Sequence, residues 1–230
     1  MIKGGISIKG SYHDINQDYF ISESYKEGQI MVLSDGMGSK KLSQYGSKFI
    51  CESVYSVINN YNLDINLFSF KDILYSCHKE WIKRLRKNEY DISQCYATLL
   101  VVVVMKNKIK AARLGDGFLS IYVDNEIYCL FDKKDDYFAN ETDCIRENFD
   151  RDKIEVIELE YDKFKGAIAC SDGIEVGTMQ EKDLQDFTKE FIEEYSINDE
   201  KYIIEDVKNW LKDWTGSDDK TLAFVMEGGN

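Results

Sequence analysis

Residues 97–105, ATLLVVVVM, are the longest uninterrupted apolar run in the chain, and they restrict the fold more than any other feature. Nine residues cannot cross a bilayer as a helix, which needs about 20. Leu and the β-branched Val dominate the run, and β-branched residues favour strand. Without polar alternation, both faces of that strand must be covered. Met105-Lys106-Asn107-Lys108 reads as its turn. Shorter strand-like segments follow at 109–114, 118–123 and 126–130, so residues 96–130 predict an antiparallel β meander.

Around this centre, further strands are expected at 6–8, 19–21, 29–34, 154–160, 166–171 and 221–226. Helix-period apolar residues run through 40–59, at Leu42, Tyr45, Phe49, Ile50, Val54, Val57 and Ile58. A second helix is predicted over 70–87, with Ser69 and Asp72 as a capping box and Ile73, Leu74, Cys77, Trp81, Ile82 and Leu85 as its buried stripe. Two more are predicted at 181–194 and 199–213, the latter with Tyr202, Ile203, Val207, Trp210 and Leu211 as its apolar face. Residues 131–153 are polar and irregular and read as a loop-like insert. Strands and paired helices come in blocks, not in strict alternation. That pattern gives an α+β class with helices covering the sheets. No linker is visible, so residues 1–230 are expected to form a single domain.

Charge narrows the partners. The chain has 42 acidic and 29 basic residues, a net −13, distributed as +5 over residues 1–115 and −18 over 116–230. Such an acidic half disfavours binding to nucleic-acid phosphates and docking on an anionic membrane. The absence of proline excludes Pro-rich linkers and polyproline ligands. The N-terminal MIKGGISIKGSYHD has no apolar core of a signal peptide. Six cysteines form no CxxC pair, and there are only two histidines, so a zinc cluster is not expected. The cysteines are read as reduced and mostly buried, in a cytoplasmic protein.

Three Asp-Gly pairs, Asp35-Gly36, Asp116-Gly117 and Asp172-Gly173, each follow an apolar strand, and two of them share Ser-Asp-Gly. Asp-Gly is a common turn dipeptide. A carboxylate fixed at a strand end, beside a Gly that lets its carbonyl approach a ligand, is also a hard-oxygen donor pair for Mg²⁺ or Mn²⁺. Asp18 begins a strand in NQDYF, and Asp218 opens SDDKT before the last one. Several carboxylates crowded together repel and raise one another's pKa. A dinuclear metal centre would offset that repulsion and acidify a water. With two histidines in all, a nucleophilic triad competes poorly.

These segments resemble, in order, the motifs of the metal-dependent protein phosphatases (the protein phosphatase 2C family). GSYHDINQDYF (10–20) resembles the motif ending in Asn-Gln-Asp, and VLSDGMGS (32–39) the ADGMGG motif. YATLL (96–100) resembles the Gly-Thr-Thr-Leu strand, and RLGDGFLSIY (113–122) the NVGDSRAYL segment. IACSDGIEV (168–176) resembles the Cys-Ser-Asp-Gly-Leu segment, and SDDKTLAFV (217–225) the Asp-Asn-x-Thr motif. SDGMGSKKLSQYGS and DDKT are similar to a divergent bacterial subgroup.

The resemblance implies a two-sheet antiparallel β sandwich flanked by helix pairs, in four αββα layers, with a short flap near 131–153. It implies two Mn²⁺ or Mg²⁺ ions. Asp35 would bridge them, the Gly36 carbonyl would be a further ligand, Asp172 and Asp218 would complete one ion, and Asp18 would support the other through waters. The implied reaction is hydrolysis of phosphoserine or phosphothreonine in a protein by a metal-bridged water, with a cognate Ser/Thr kinase or its targets as partners. His13 stands where many members carry a phosphate-binding Arg. It reads equally as a phosphate contact and as a structural histidine. Met37 replaces a histidine found in eukaryotic members. Asp116 matches a ligand to a third ion, but the expected second ligand position holds Val176 and Glu175 is one residue early, so a third ion is not expected. Lys40 and Lys41 could meet substrate phosphate. Lys83, Arg84, Arg86 and Lys87 read as a solvated helix end or as a docking patch. Two other functions stay open: a non-catalytic regulatory module on the same fold, and hydrolysis of a small phosphate metabolite.

Overall fold

The computed structural model describes residues 1–26, 28–60, 65, 68–132, 143–148 and 150–228. In chain order its elements are β1 Ile2–Ile8, β2 Tyr19–Tyr25, β3 Gly28–Ser34, α1 Ser43–Asn60, α2 Phe70–Lys87, β4 Leu99–Val104, β5 Lys108–Leu114, β6 Phe118–Val123, β7 Glu126–Leu130, β8 Glu155–Glu160, β9 Phe164–Cys170, α3 Glu181–Tyr195, α4 Glu200–Asp213 and β10 Lys220–Met226.

The apolar run behaves as its composition demands. Strand β4 is buried along its whole length. Leu99, Val101 and Val103 join a core with Ile50, Val54, Leu74 and Trp81 of α1 and α2. Leu100, Val102 and Val104 point the other way, into a core shared with Leu119, Ile121, Ala167, Ala169, Ala223 and Val225 of a second sheet. One sheet has the order β2-β3-β4-β5-β8 and the other β1-β10-β9-β6-β7, and all registered pairings are antiparallel. A third core packs α3 and α4, through Leu184, Phe191, Ile203, Val207 and Leu211, on the outer face of the second sheet. The layers are therefore helices, sheet, sheet, helices, as the resemblance implied.

The expected meander over 96–130 needs correction. β4 pairs with β5 in one sheet, whereas β6 pairs with β7 in the other. The chain changes sheets at Gly115-Asp116-Gly117. Alternation of side chains marks strands and turns, but it does not say which sheet a strand joins. Gly115 has φ +119°, and a Cβ there would sit 2.5 Å from Thr98 Cγ2, so the crossover needs glycine on both counts. The hairpin between β6 and β7 uses Asp124 and Asn125 at φ 49° and 68°, as a two-residue type I′ turn requires.

Other differences are local. Strand β1 begins at Ile2, because pairing with β10 overrides its two glycines. Helix α1 starts at Ser43, not at 40. Ser69 makes no side-chain cap on α2, and the Asp72 carboxylate pairs with Arg151 instead. Tyr202 lies outside the buried stripe of α4 and is exposed. Most of the centre of the 131–153 insert, 133–142 and 149, lies outside the described residues. Its remainder is tied to α2 and to the segment before β4: Arg86 pairs with Glu147 at 3.1 Å, the Arg146 carbonyl lies 2.8 Å from His78 Nε2, and Ile145 bridges to Ala97. The six cysteines are free, and all but Cys129 are buried. Trp81 is a packing residue whose indole N–H donates to the Gly46 carbonyl at 3.0 Å. Trp210 and Trp214 pack together at a tilt of 52°, with ring centroids 5.3 Å apart. Among the described residues no helix is long and apolar enough to cross a membrane.

Candidate metal centre

The two sheets meet the crossover loops at one end of the sandwich, and the acids collect there. Asp35 leaves β3 with its backbone clamped to Thr98. The Asp35 N–H donates to Thr98 Oγ1 at 2.9 Å, Thr98 N–H donates to the Asp35 carbonyl at 2.8 Å, and Ser34 Oγ donates to the Thr98 carbonyl at 2.6 Å. Gly36 N–H donates to the Gln17 carbonyl at 3.1 Å, and a Cβ on residue 36 would lie 2.8 Å from that oxygen. The first and second acidic segments therefore touch backbone to backbone. Asp172 leaves β9 behind Ser171, whose N–H donates to the Thr221 carbonyl of β10 at 2.9 Å. Ser171 Oγ donates to Asp18 Oδ2 at 2.8 Å. Asp116 rides on the sheet crossover, which the buried Arg113 braces by pairing with Glu155 and donating to the Gly115 carbonyl.

Ligand atoms of Asp35, Asp116 and Asp172 lie within 4.8 Å of one another. The side chains of Asp18 and Asp172 each lie beside that of Asp35. Asp218 lines the same cleft, with its Oδ1 accepting the Asp219 N–H at 2.8 Å. The cleft holds about 260 Å³ and is lined by His13, Asp35, Gly36, Met37, Gly38, Ser39, Thr98, Asp116, Asp172 and Asp218. Asp18 sits beneath it, 7% exposed.

Crowding shows in the electrostatics. Burial pushes Asp18 up from 3.8 to about 7, opposed by hydrogen bonds from Thr221, Asp35 and Ser171 and reinforced by the Asp219 charge. Burial raises Asp35 well above the usual carboxylate range, and the charges of Asp18 and Asp172 raise it further. Burial raises Asp172 too, with the charges of Asp116 and Asp218 adding to it. Asp18 Oδ1 and Asp172 Oδ1 are buried and lack a hydrogen-bond donor among the described residues. An all-oxygen donor set with orphaned buried carboxylate oxygens fits a hard divalent cation. It does not fit a soft metal, since the buried thiols lie elsewhere.

The remaining expected residues sort clearly. His13 lines the cleft, and its Nε2 lies 2.7 Å from where a Cβ on Gly38 would stand, so the ring rests on the Met37-Gly38 turn. Lys40 is turned to the Tyr96 ring, 4.5 Å from its centroid, and neither Lys40 nor Lys41 lines the cleft. Lys83, Arg84 and Arg86 are engaged with Glu80, Glu52 and Glu147, as a solvated helix end would be. Glu175 is exposed and Val176 buried, and neither joins the acids.

Sequence reasoning missed the supports. Asp219 is 3% exposed, and its two oxygens accept the N–H groups of Gly10 at 2.8 Å and Gln17 at 2.7 Å. It closes the loop that carries His13 and leads into Asp18. The doubled acid in SDDKT was the available signal, since a second carboxylate beside a ligand needs its own partners. Thr98 and Ser171 were visible only as motif letters. Thr98→Val is expected to leave the Asp35 N–H without its acceptor, to cost about 1–3 kcal/mol, and to weaken Mn²⁺ binding in calorimetry; unchanged binding would show that Thr98 does not position Asp35.

Comparison with known proteins agrees with this fold. The family model described as protein phosphatase 2C matches residues 11–215. The chain belongs to the protein phosphatase 2C family. Among curated proteins, none matches the sequence significantly. Similar solved structures include the serine/threonine phosphatase Stp1 from Staphylococcus aureus (14% identity, TM-score 0.72, covering 100% of this chain and 96% of that one). The S. agalactiae serine/threonine phosphatase is similar at 16% identity and TM-score 0.71, with 98% of each chain covered. The catalytic domain of the serine/threonine phosphatase PstP, solved with two manganese ions, is similar at 13% identity and TM-score 0.70, covering 99% and 98%.

Proposed function

We propose that this chain is a metal-dependent protein serine/threonine phosphatase, one domain over residues 1–230, acting on phosphorylated proteins in the cytoplasm against a cognate kinase. The observation that carries the reading is the convergence of Asp35, Asp116, Asp172 and Asp218 on one cleft with Asp18 buried beneath it, two of these carboxylates having buried oxygens that lack donors among the described residues. On this reading Asp35, Asp172 and Asp218, with the Gly36 carbonyl, would hold the cations, Asp18 would support one of them from beneath the cleft through waters, and Asp116 would add a further carboxylate at its wall. The two ions in the PstP structure support Mn²⁺ at a site of this donor chemistry. Bound divalent ions supply positive charge against the phosphoryl oxygens and an acidified water as nucleophile.

The chain's own groups do the rest. Thr98 and the Gln17 carbonyl fix the Asp35-Gly36 backbone, so the carboxylate is preorganised before any ligand arrives. Ser171 holds Asp18 in one orientation. His13 presents an imidazole at the cleft, where an N–H can orient a phosphoryl oxygen, though not with the bidentate geometry of a guanidinium. The cleft accepts a phosphoryl group and has little apolar wall, so the rest of a substrate lies outside it. The test is hydrolysis of a phosphothreonine peptide with Mn²⁺ present. Turnover that EDTA abolishes and Mn²⁺ restores is expected. Calorimetry showing no Mn²⁺ binding would overturn the reading in favour of a non-catalytic module.

A further inference from the structure

The loop Gly10–Gln17 carries a feature that phosphate chemistry does not use. It is held at both ends by one carboxylate, that of Asp219. Tyr12 N–H donates to the Ser217 carbonyl at 2.9 Å, Lys9 Nζ donates to the carbonyls of Gly10 and His13 at 2.8 and 2.9 Å, and Asn16 Nδ2 donates to Ser7 Oγ at 2.8 Å. A loop tied this closely would be expected to tuck its apolar side chains inward. Instead Tyr12 is 73% and Ile15 57% exposed. Single exposed apolar residues need no explanation. Here two large ones sit three positions apart on a braced backbone. One of them packs edge-on against His13, with centroids 4.6 Å apart and planes at 75°. His13 in turn lines the cleft.

We propose, resting on the phosphatase reading, that Tyr12 and Ile15 form a docking ridge that takes a non-polar residue flanking the phosphorylated residue of a polypeptide substrate. The cleft, with five aspartates in or beneath it, suits a phosphoryl group and cations and not an apolar flank. A substrate seated there must lay its chain on the rim, and the Tyr12–His13 contact makes that rim continuous with the cleft. A preorganised aromatic surface loses little entropy on binding, which is why exposed Tyr is an effective anchor. Asp14 lies exposed between the two apolar residues, and the cleft wall is acidic. Acidic flanks are therefore disfavoured by like charge, and the ridge selects non-polar over acidic neighbours.

The test compares Mn²⁺-loaded protein on three phosphothreonine peptides, identical but for Leu, Gly or Glu on both sides of the phosphoresidue, with p-nitrophenyl phosphate as a flank-free substrate. The order Leu above Gly above Glu is expected. Tyr12→Ser and Ile15→Ser are each expected to lower the ratio of Leu-peptide to p-nitrophenyl phosphate kcat/KM by about 5- to 10-fold, the scale of partial loss of one apolar contact, and the change should lie in the peptide KM. Equal use of the three peptides, or a ratio that neither variant moves, would overturn the ridge and leave the phosphatase reading standing. No Mn²⁺-dependent hydrolysis of p-nitrophenyl phosphate would overturn the phosphatase reading, and the ridge with it.

Discussion

Asp35→Asn is expected to remove Mn²⁺-dependent hydrolysis while making the metal-free protein more stable. Asp35 touches both Asp18 and Asp172 through its side chain, and its backbone is fixed from two directions. Replacing it removes one negative charge from the centre of the donor set. Loss of a preorganised electrostatic group at a reacting centre typically costs ~10²- to 10³-fold, and here cation binding itself should weaken, so kcat/KM should fall by at least that much. Stability should move the other way without metal. Burial raises the proton affinity of all three carboxylates, and the charges of Asp18 and Asp172 raise that of Asp35 further, because like charges repel in a desolvated space. An asparagine amide can donate to Asp18 or Asp172 at any pH, whereas an ionised carboxylate cannot. Thermal melts in EDTA should show a higher Tm for the variant, and added Mn²⁺ should raise its Tm less than that of the parent. Phosphatase activity surviving in Asp35→Asn would sink the assignment; a lower apo Tm would refute the repulsion argument alone.

Stability of the metal-free protein should fall between about pH 4 and pH 7. Asp18 is raised from 3.8 to about 7 by burial, so its protonated form is the one the fold favours. A group raised in the folded state contributes its full stability below its unfolded value and loses it as pH climbs through the folded one. The window for Asp18 therefore runs from about 4 to about 7. At about 1.4 kcal/mol per tenfold change in proton affinity, the span is worth on the order of 4 kcal/mol. Asp35 and Asp172 act in the same direction. Asp183, held low by its Thr178 hydrogen bonds, acts in the opposite sense only under more acidic conditions. Mn²⁺ should reverse the slope, because cation binding requires the ionised carboxylates. Denaturant unfolding at several pH values, in EDTA and in Mn²⁺, measures both slopes. An EDTA profile that is flat or rises towards pH 7 would contradict the expectation, and Asp18→Asn should make it shallower.

Elements with a strong local signal needed no tertiary information. The run at 97–105 announced a strand covered on both faces, and β4 is buried throughout. The periodic segments became α1 to α4 within a few residues. Asp35, Asp116 and Asp172 stood out because each follows an apolar strand and precedes glycine, and the fold brings them within 4.8 Å. What local pattern could not supply was partnership. The crossover at Gly115-Asp116-Gly117 looked like one more hairpin turn, although its strands join different sheets. Ser69 and Asp72 looked like a cap, until Arg151 from 79 residues away took the carboxylate.

The sequence alone determined the class of each element and the chemistry of the acidic segments, because periodicity and side-chain type are properties of neighbouring residues. Tertiary structure decided which oxygens face a cation and which hold the chain. Asp218 and Asp219 are adjacent and chemically identical, yet one lines the cleft and the other, 209 residues from Gly10 along the chain, fastens the His13 loop. Successive residues entering a strand point to opposite sides. Only the surrounding backbone N–H groups, brought there by folding, turn one carboxylate into a structural clamp and leave the other at the site.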